Sequence, residues 1–276
     1  MFRPVSVPTY LLVTPVAPGR VEALFAAVAR QEIAPLRWVV VDGTGDPEVA
    51  RQVQAHARDL PHVVTVTLAP ARGGRLRSRA SAEGLRVALD ILEAERLGAA
   101  FVAHLDPAVA LAEDTLAELM VRLEQDRTLG LVGSPLRPEA RPCPTVQTLD
   151  AATPGPWVRM WRRACLESVD FAPGPAWAEF TAAQARAQGW GMCLVPQAAV
   201  RVEGAPRGGL SCLAACADLG GVAWQLRLPI GRVPLQFGGW RAGLARLALA
   251  AGYLKAAARA PTRRRSRARL GTAALP

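Results

Sequence analysis

Residues 31–46 read QEIAPLRWVVVDGTGD. The middle of this stretch, Arg37 to Val41, is a short run rich in β-branched residues, closed by Asp42-Gly43. That composition predicts a buried strand running straight into a tight turn. Pro47 follows Asp46 and opens a predicted helix reaching Leu60; in a first turn the missing N–H of proline costs no hydrogen bond. The same alternation recurs outward from here. Tyr10 to Thr14 (YLLVT), His62 to Leu68 (HVVTVTL), Ala100 to Leu105 (AFVAHL) and Leu129 to Gly133 read as strands. Arg20 to Arg30, Ser81 to Leu97 and Glu113 to Glu124 read as helices, the first with Val21, Leu24, Phe25 and Val28 on one face. Short uncharged strands separated by helices predict an α/β fold, Rossmann-like, with a mostly parallel sheet, helices on both faces and right-handed crossovers.

The alternation stops at Pro135. Pro138, Pro142, Pro144, Pro154 and Pro156 follow, and prolines at that density exclude a regular element over most of the stretch. Order returns with a strand at Trp157 to Arg162 (WVRMWR), a short helix from Arg163, a helix from Trp177 to Gln188 closed by Gly189, and a strand at Met192 to Val195. Trp240 to Arg259 reads as an amphipathic helix, with Trp240, Leu244, Leu247, Ala251 and Leu254 on one stripe. The Arg-rich run after Pro261 reads as disordered.

Composition narrows the function. The 276 residues are 51% hydrophobic and 20% charged, enough to bury a full core. Five cysteines without a paired CxxC set, and three histidines, argue against a disulfide scaffold or a zinc site. The net charge of +10 is uneven: up to Asp218, 22 arginines face 23 acids (−1), and beyond it ten arginines and Lys255 face none (+11). A neutral body with a basic tail suits contact with an anionic membrane surface through 240–269, or a helix packed on the body with a solvated end. The neutral body and the lack of a recognition motif argue against nucleic acid. The apolar run after Arg3 is too short for a signal peptide, and no long uncharged apolar run predicts a spanning helix, so the expected location is cytoplasmic, with peripheral contact at the inner face of the cytoplasmic membrane.

Ligands of open parallel sheets bind beyond the carboxyl ends of the strands. Three of the predicted strands end in informative residues. One reaches Asp42 and Asp46, which suit either a ribose or base contact or a simple turn. One feeds a basic loop, Ala71 to Arg79, whose Arg72, Arg75, Arg77 and Arg79 suit a diphosphate or a solvated surface. One ends at His104-Leu105-Asp106, where His104 reads as a buried neighbour of Asp106. Neither GxGxxG nor GxxxxGK[ST] occurs, which argues against the common dinucleotide and ATPase loops.

The order of these motifs resembles the family 2 glycosyltransferases, which have the GT-A fold. Tyr10 to Ala17 (YLLVTPVA) is similar to the opening strand "viiPvyn", and residues 31–46 to "Q.yp..eiivvDDgStD". Phe101 to Leu116 (FVAHLDPAVALAEDTL) is similar to "i.flDaDd.l.pd.l", and Trp157 to Trp190 to the acceptor-side half. The resemblance covers residues 7–205 and implies a nucleotide-sugar-binding half (7–133), an acceptor-side half (157–205), a helical extension (206–260) and a disordered Arg-rich end (261–276). It implies a transferase of bacterial glycan biosynthesis that uses a nucleotide-diphosphate sugar, an Mn²⁺ or Mg²⁺ ion and a glycan or lipid-linked acceptor, with inversion. Asp42 and Asp46 match two of the nucleotide-side acids, while Val41 replaces the leading one. Asp106 matches the first acid of the metal motif, and Ala108 replaces the second, the usual direct ligand. Glu179 is the nearest match to the general base, one residue out of register. Trp157, Trp161, Trp177 and Trp190 are candidate acceptor platforms or core residues. Arg162 and Arg163 are candidates for phosphate contact or surface ion pairs. The departures at 41 and 108 leave a second expectation, a catalytically inactive homologue that binds sugar nucleotides or acts as a scaffold.

Overall fold

The computed structural model describes residues 8–69, 76–137, 153–171, 177–202 and 250–251. The elements are β1 (Tyr10–Pro15), α1 (Val21–Ala29), β2 (Arg37–Asp42), α2 (Pro47–Ala57), β3 (Val63–Thr67), α3 (Leu76–Ala94), β4 (Phe101–Leu105), β5 (Val109–Ala110), α4 (Thr115–Gln125), β6 (Leu129–Gly133), β7 (Val158–Arg162), α5 (Arg163–Glu167), α6 (Trp177–Ala187), β8 (Gly191–Leu194) and β9 (Arg201–Val202). Among the described residues seven strands form one sheet in the order β3-β2-β1-β4-β7-β6-β8, and β5 pairs with β9 in a separate ribbon. Six strands run in one direction. Only β7 opposes its neighbours β4 and β6, because the chain leaves β6 and re-enters the sheet from the same end.

Strand alternation sorts the core into two layers. Tyr10, Leu12, Trp38, Val40, Phe101 and Ala103 face α1, α2 and α4. Leu11, Val13, Val39, Val41, Val102 and Trp161 face α3, α5 and α6. Helices thus cover both faces, as the sequence predicts for its first half.

Two details fix the packing. Gln31 is buried; its Nε2 donates to Ala112 O (2.8 Å) while its Oε1 accepts from Leu116 N (3.2 Å), so the end of α1 caps the start of α4. On the other face α3 lies close to the sheet at Gly84, where an added Cβ would meet Val13 Cγ1 at 2.5 Å and Val41 Cγ2 at 2.8 Å. The sequence places the start of α3 at Ser81; it begins five residues earlier, at Leu76. Leu76 to Ala80 holds no glycine or proline, so the basic segment is helical at its distal end. The amphipathic helix expected at 240–259 falls outside the described residues except for 250 and 251, which are helical. The run after Pro261 also falls outside them.

Replacing Gly84 with alanine puts a methyl group into this contact. Helix propensity favours the change by up to ~1 kcal/mol, but overpacking costs ~1–3 kcal/mol. Gly84→Ala is therefore expected to lower the urea midpoint, and an unchanged or raised midpoint would show that α3 can move away from the sheet.

Candidate functional site

The register of the central strands sets the rim. Pro15 of β1 lies opposite Val41 of β2, and Val13 opposite His104 of β4. Asp42 and Asp106 therefore reach the carboxyl edge within one residue of level, on either side of β1. Two strand spacings of ~4.8 Å separate their strands by roughly 10 Å. Both are nearly covered, at 4% and 8% exposure.

Each acid is oriented by its own turn. Asp42 Oδ1 accepts from Thr44 N (2.8 Å) and Thr44 Oγ1 (2.7 Å). Thr44 Oγ1 accepts in turn from Asp46 N (3.1 Å), and Asp46 Oδ1 accepts from Glu48 N (2.9 Å), capping α2. Within DGTGD only Gly45 needs glycine's freedom, at φ 69°. Asp106 Oδ1 accepts from Ala108 N (2.9 Å), and Asp106 N donates to Trp157 O (2.8 Å), which ties the rim to β7. Val41 is fully buried against α3, so the position where the resemblance expects a base-holding acid is part of the core.

The donor chemistry for a cation is thin. Asp106 is a single carboxylate, Ala108 offers only its backbone, and among the described residues no group of three His, Cys, Asp or Glu comes together. A protein-built Mn²⁺ or Mg²⁺ site needs more oxygen ligands than this. The described residues therefore do not fit an ion held by the chain alone.

Behind the rim lies a buried polar cluster that the sequence does not announce. Arg159 of β7 pairs with His104 across the sheet and is fully buried. His104 Nε2 lies 2.8 Å from Ser81 Oγ of α3, and its Nδ1 has no hydrogen-bond partner. The His104 ring meets Trp177 edge-on, with centroids 4.9 Å apart, which seats the first turn of α6 against β4. Glu179 stands in that turn, partly buried. Desolvation raises its carboxyl above the usual carboxylate range, against the opposing pull of Arg159. Arg159 itself is lowered by burial to about 10. The one sequence signal for this cluster is the alternation in WVRMWR, which puts Arg159 and Trp161 on the same face.

The other candidates disperse. Arg72 and Arg75 lie outside the described residues, as does the Arg77 side chain. Arg79 is exposed on α3, and its Nη1 donates to Ala69 O (3.1 Å). Arg162 pairs with Phe101 at the amino end of β4 and donates to Leu129 O (3.0 Å) and Leu123 O (2.6 Å), closing the end of α4. Arg163 bonds Leu97 O (3.2 Å) and Glu167 (2.7 Å). Both arginines stand at the edge opposite the rim, which corrects the phosphate-contact expectation. Trp161 is wholly buried and Trp177 nearly so, and both pack in the core. Trp190 precedes Gly191, which pairs with Leu129 at the amino end of β6, again away from the rim. Of the four tryptophans, Trp157 combines partial exposure with a place beside Asp106.

His104 gives a pH signature. Burial, reinforced by Arg159, holds it far below its ordinary 6.5, at about 3. Between these values the unfolded chain binds a proton that the folded chain refuses. Its contribution is therefore complete above pH 6.5 and lost as pH falls toward 3, at up to ~1.4 kcal/mol per pH unit. Urea melts from about pH 7 to about pH 4 should show wild type losing stability more steeply than His104→Gln. Equal slopes would mean that the native histidine takes up its proton over the same pH range as the unfolded one.

Comparison with solved structures places the architecture. A mannosyltransferase from Pyrobaculum calidifontis, solved with GDP-Man and Mn²⁺, superimposes with a TM-score of 0.62 at 21% identity, over 92% of this chain and 79% of that one. S. aureus TarS (1–349) gives 0.56 at 13% identity, over 90% and 72%. Glucosyl-3-phosphoglycerate synthase from Mycobacterium tuberculosis, with phosphoglyceric acid, gives 0.57 at 15% identity, over 80% and 81%. No protein-family model and no curated protein matches the chain. At these identities the likeness establishes architecture: the chain has the GT-A-like α/β fold of these glycosyltransferases.

Proposed function

We propose that this chain transfers a sugar from a nucleotide-diphosphate donor to a hydroxyl acceptor, with inversion at the anomeric carbon. The observation that carries the reading is the level placement of Asp42 and Asp106 beside β1, with the Glu179 turn docked on His104 two residues before Asp106. Structures of the same fold were solved with GDP-Man and Mn²⁺, with UDP-GlcNAc, and with Mn²⁺, UDP and glucosyl-3-phosphoglycerate. In this reading the donor lies over the carboxyl ends of β1, β2 and β4. Asp42 receives the nucleoside side and Asp46 holds its turn at the head of α2. Arg72, Arg75 and Arg79 neutralise the leaving diphosphate, and Asp106 positions it. Glu179 takes the proton of the acceptor hydroxyl as that oxygen attacks the anomeric carbon and the bond to the diphosphate breaks. Trp157 offers a ring to the acceptor, a glycan or a lipid-linked glycan, and the basic segment 240–269 would hold a lipid-linked one at an anionic surface. Among the described residues no helix is long and apolar enough to cross a membrane.

A second reading, a catalytically silent binder of sugar nucleotides, is favoured by Val41 and Ala108, which stand where the resemblance expects acids. Calorimetry with uridine, guanosine and thymidine diphosphates, with and without Mn²⁺, separates the two when paired with donor hydrolysis. Tight binding of one nucleotide with turnover supports transfer, and binding without turnover supports the silent module. Failure of all three nucleotides to bind would overturn both. Asp106→Asn is expected to weaken nucleotide binding ~10-fold or more.

Glu179→Gln should keep nucleotide binding and lower turnover by ~10²–10⁴-fold. A base works deprotonated, so activity should rise with pH through the raised Glu179 value, placing the acid limb of kcat/KM above the ordinary 4.5. An acid limb at or below 4.5 would remove Glu179 from the role.

A further inference from the structure

We propose that Arg159 is the positioning residue of the acceptor side, a buried guanidinium that fastens both the first turn of α6 and the Pro154–Gly155 turn to β7 and so fixes where Glu179 stands against the Asp106 rim. The proposal rests on the reading of Glu179 as the base.

The hydrogen bonds run in two directions from one side chain. Nε donates to Gly155 O (2.7 Å), Nη2 to Pro154 O, and Nη1 to Ala178 O (2.7 Å) with a longer bond to Thr181 Oγ1 (3.4 Å). Ala178 directly precedes Glu179. Among the described residues no carboxylate lies within ion-pair distance of Arg159, so carbonyl dipoles, two indole faces and the more distant Glu179 carboxylate meet its charge. Its guanidinium carbon lies 5.9 Å from the Trp161 ring centroid and 5.5 Å from that of Trp177. An ordinary core position on β7 would take an aliphatic residue, as Val158 and Met160 do on the other face. Burying a cation is costly. What the fork provides in return is a set of donors that reach two separate segments at once, which neither an aliphatic chain nor a lysine supplies.

An independent contact ties down the same turn. Arg159 lies opposite Gly133 of β6, and a Cβ at Gly133 would strike Pro154 Cβ at 2.5 Å and Val158 O at 2.8 Å. The Pro154 turn thus rests on bare backbone while Arg159 holds its carbonyls. Among the described residues the charge felt by Glu179 is that of Arg159 on β7, while His104 on β4 touches the same turn through Trp177 and is held far below its ordinary 6.5.

The test compares wild type with Arg159→Lys and Arg159→Gln by hydrogen exchange, nucleotide calorimetry and steady-state kinetics. Positioning predicts that Arg159→Lys keeps nucleoside diphosphate affinity within ~3-fold and donor KM nearly unchanged, while kcat falls ~100-fold. Exchange at residues 153–157 and 177–182 should accelerate ~10-fold or more while β1 and β2 stay protected. Because lysine keeps the charge, its failure to rescue kcat distinguishes the fork from a simple field effect. The proposal is overturned by unchanged exchange in α6, by full kcat in Arg159→Lys, or by equal losses of nucleotide affinity and kcat. If wild type binds nucleotide without turnover, Glu179 loses its role, and exchange alone then decides whether Arg159 anchors α6. If neither variant folds, wild type decides: residues 180–183 should exchange as slowly as β7, and much faster exchange there overturns the anchoring.

Discussion

The parallel register of β1 between β2 and β4 is the constraint on which everything else depends. Every residue of β1 is buried, and its two ladders leave no freedom to slide. A slip by one residue would turn each side chain to the opposite face. Because the register is fixed, two turns some sixty residues apart in sequence arrive at one edge. The acids there are supplied by topology, and each turn needs only local chemistry to aim its own carboxylate.

That local chemistry divides the work. The DGTGD turn is a relay in which each side-chain oxygen satisfies a backbone N–H two residues on, so Asp42 and Asp46 shape the turn as well as the surface above it. Asp106 is oriented by the backbone of Ala108. On the β7 side, a cation inside the core reaches the first turn of α6. The two sides are therefore stiffened differently, one by short turns at strand ends and the other by a long side chain reaching out of β7.

Much of the fold was legible in the sequence, because it rests on short-range patterns. β-branched runs closed by Asp-Gly and proline at a helix start mark the strands and helices of the first half closely. The start of α3 was not legible, since RLRSR carries no breaker and charge alone does not distinguish a loop from an exposed helix end. The direction of β7 was hidden behind the proline-rich connection, which leaves no local sign of which edge the chain re-enters. The places of Asp42 and Asp106 at the rim were readable because they stand at strand ends, and that of Asp46 because it precedes a helix opened by proline. For the tryptophans both readings stayed open, because an indole looks the same in sequence whether it faces solvent or core; Trp161 of β7 and Trp177 of α6 face the core. Arg159 was missed for the same reason: the alternation places it on a face, but only the three-dimensional meeting with Pro154, Gly155 and Ala178 gives it partners.

The close approach at Gly84 dictates which side chains position 41 can hold. Val41 fills the space that Gly84 leaves open, and together with Val13 it makes a dry seam between helix and sheet. An aspartate at 41 would have its carboxylate sealed in that seam away from water, at a large desolvation cost. An acid at 41 would therefore require the helix to back away first, so the closed seam and a carboxylate at this position exclude one another.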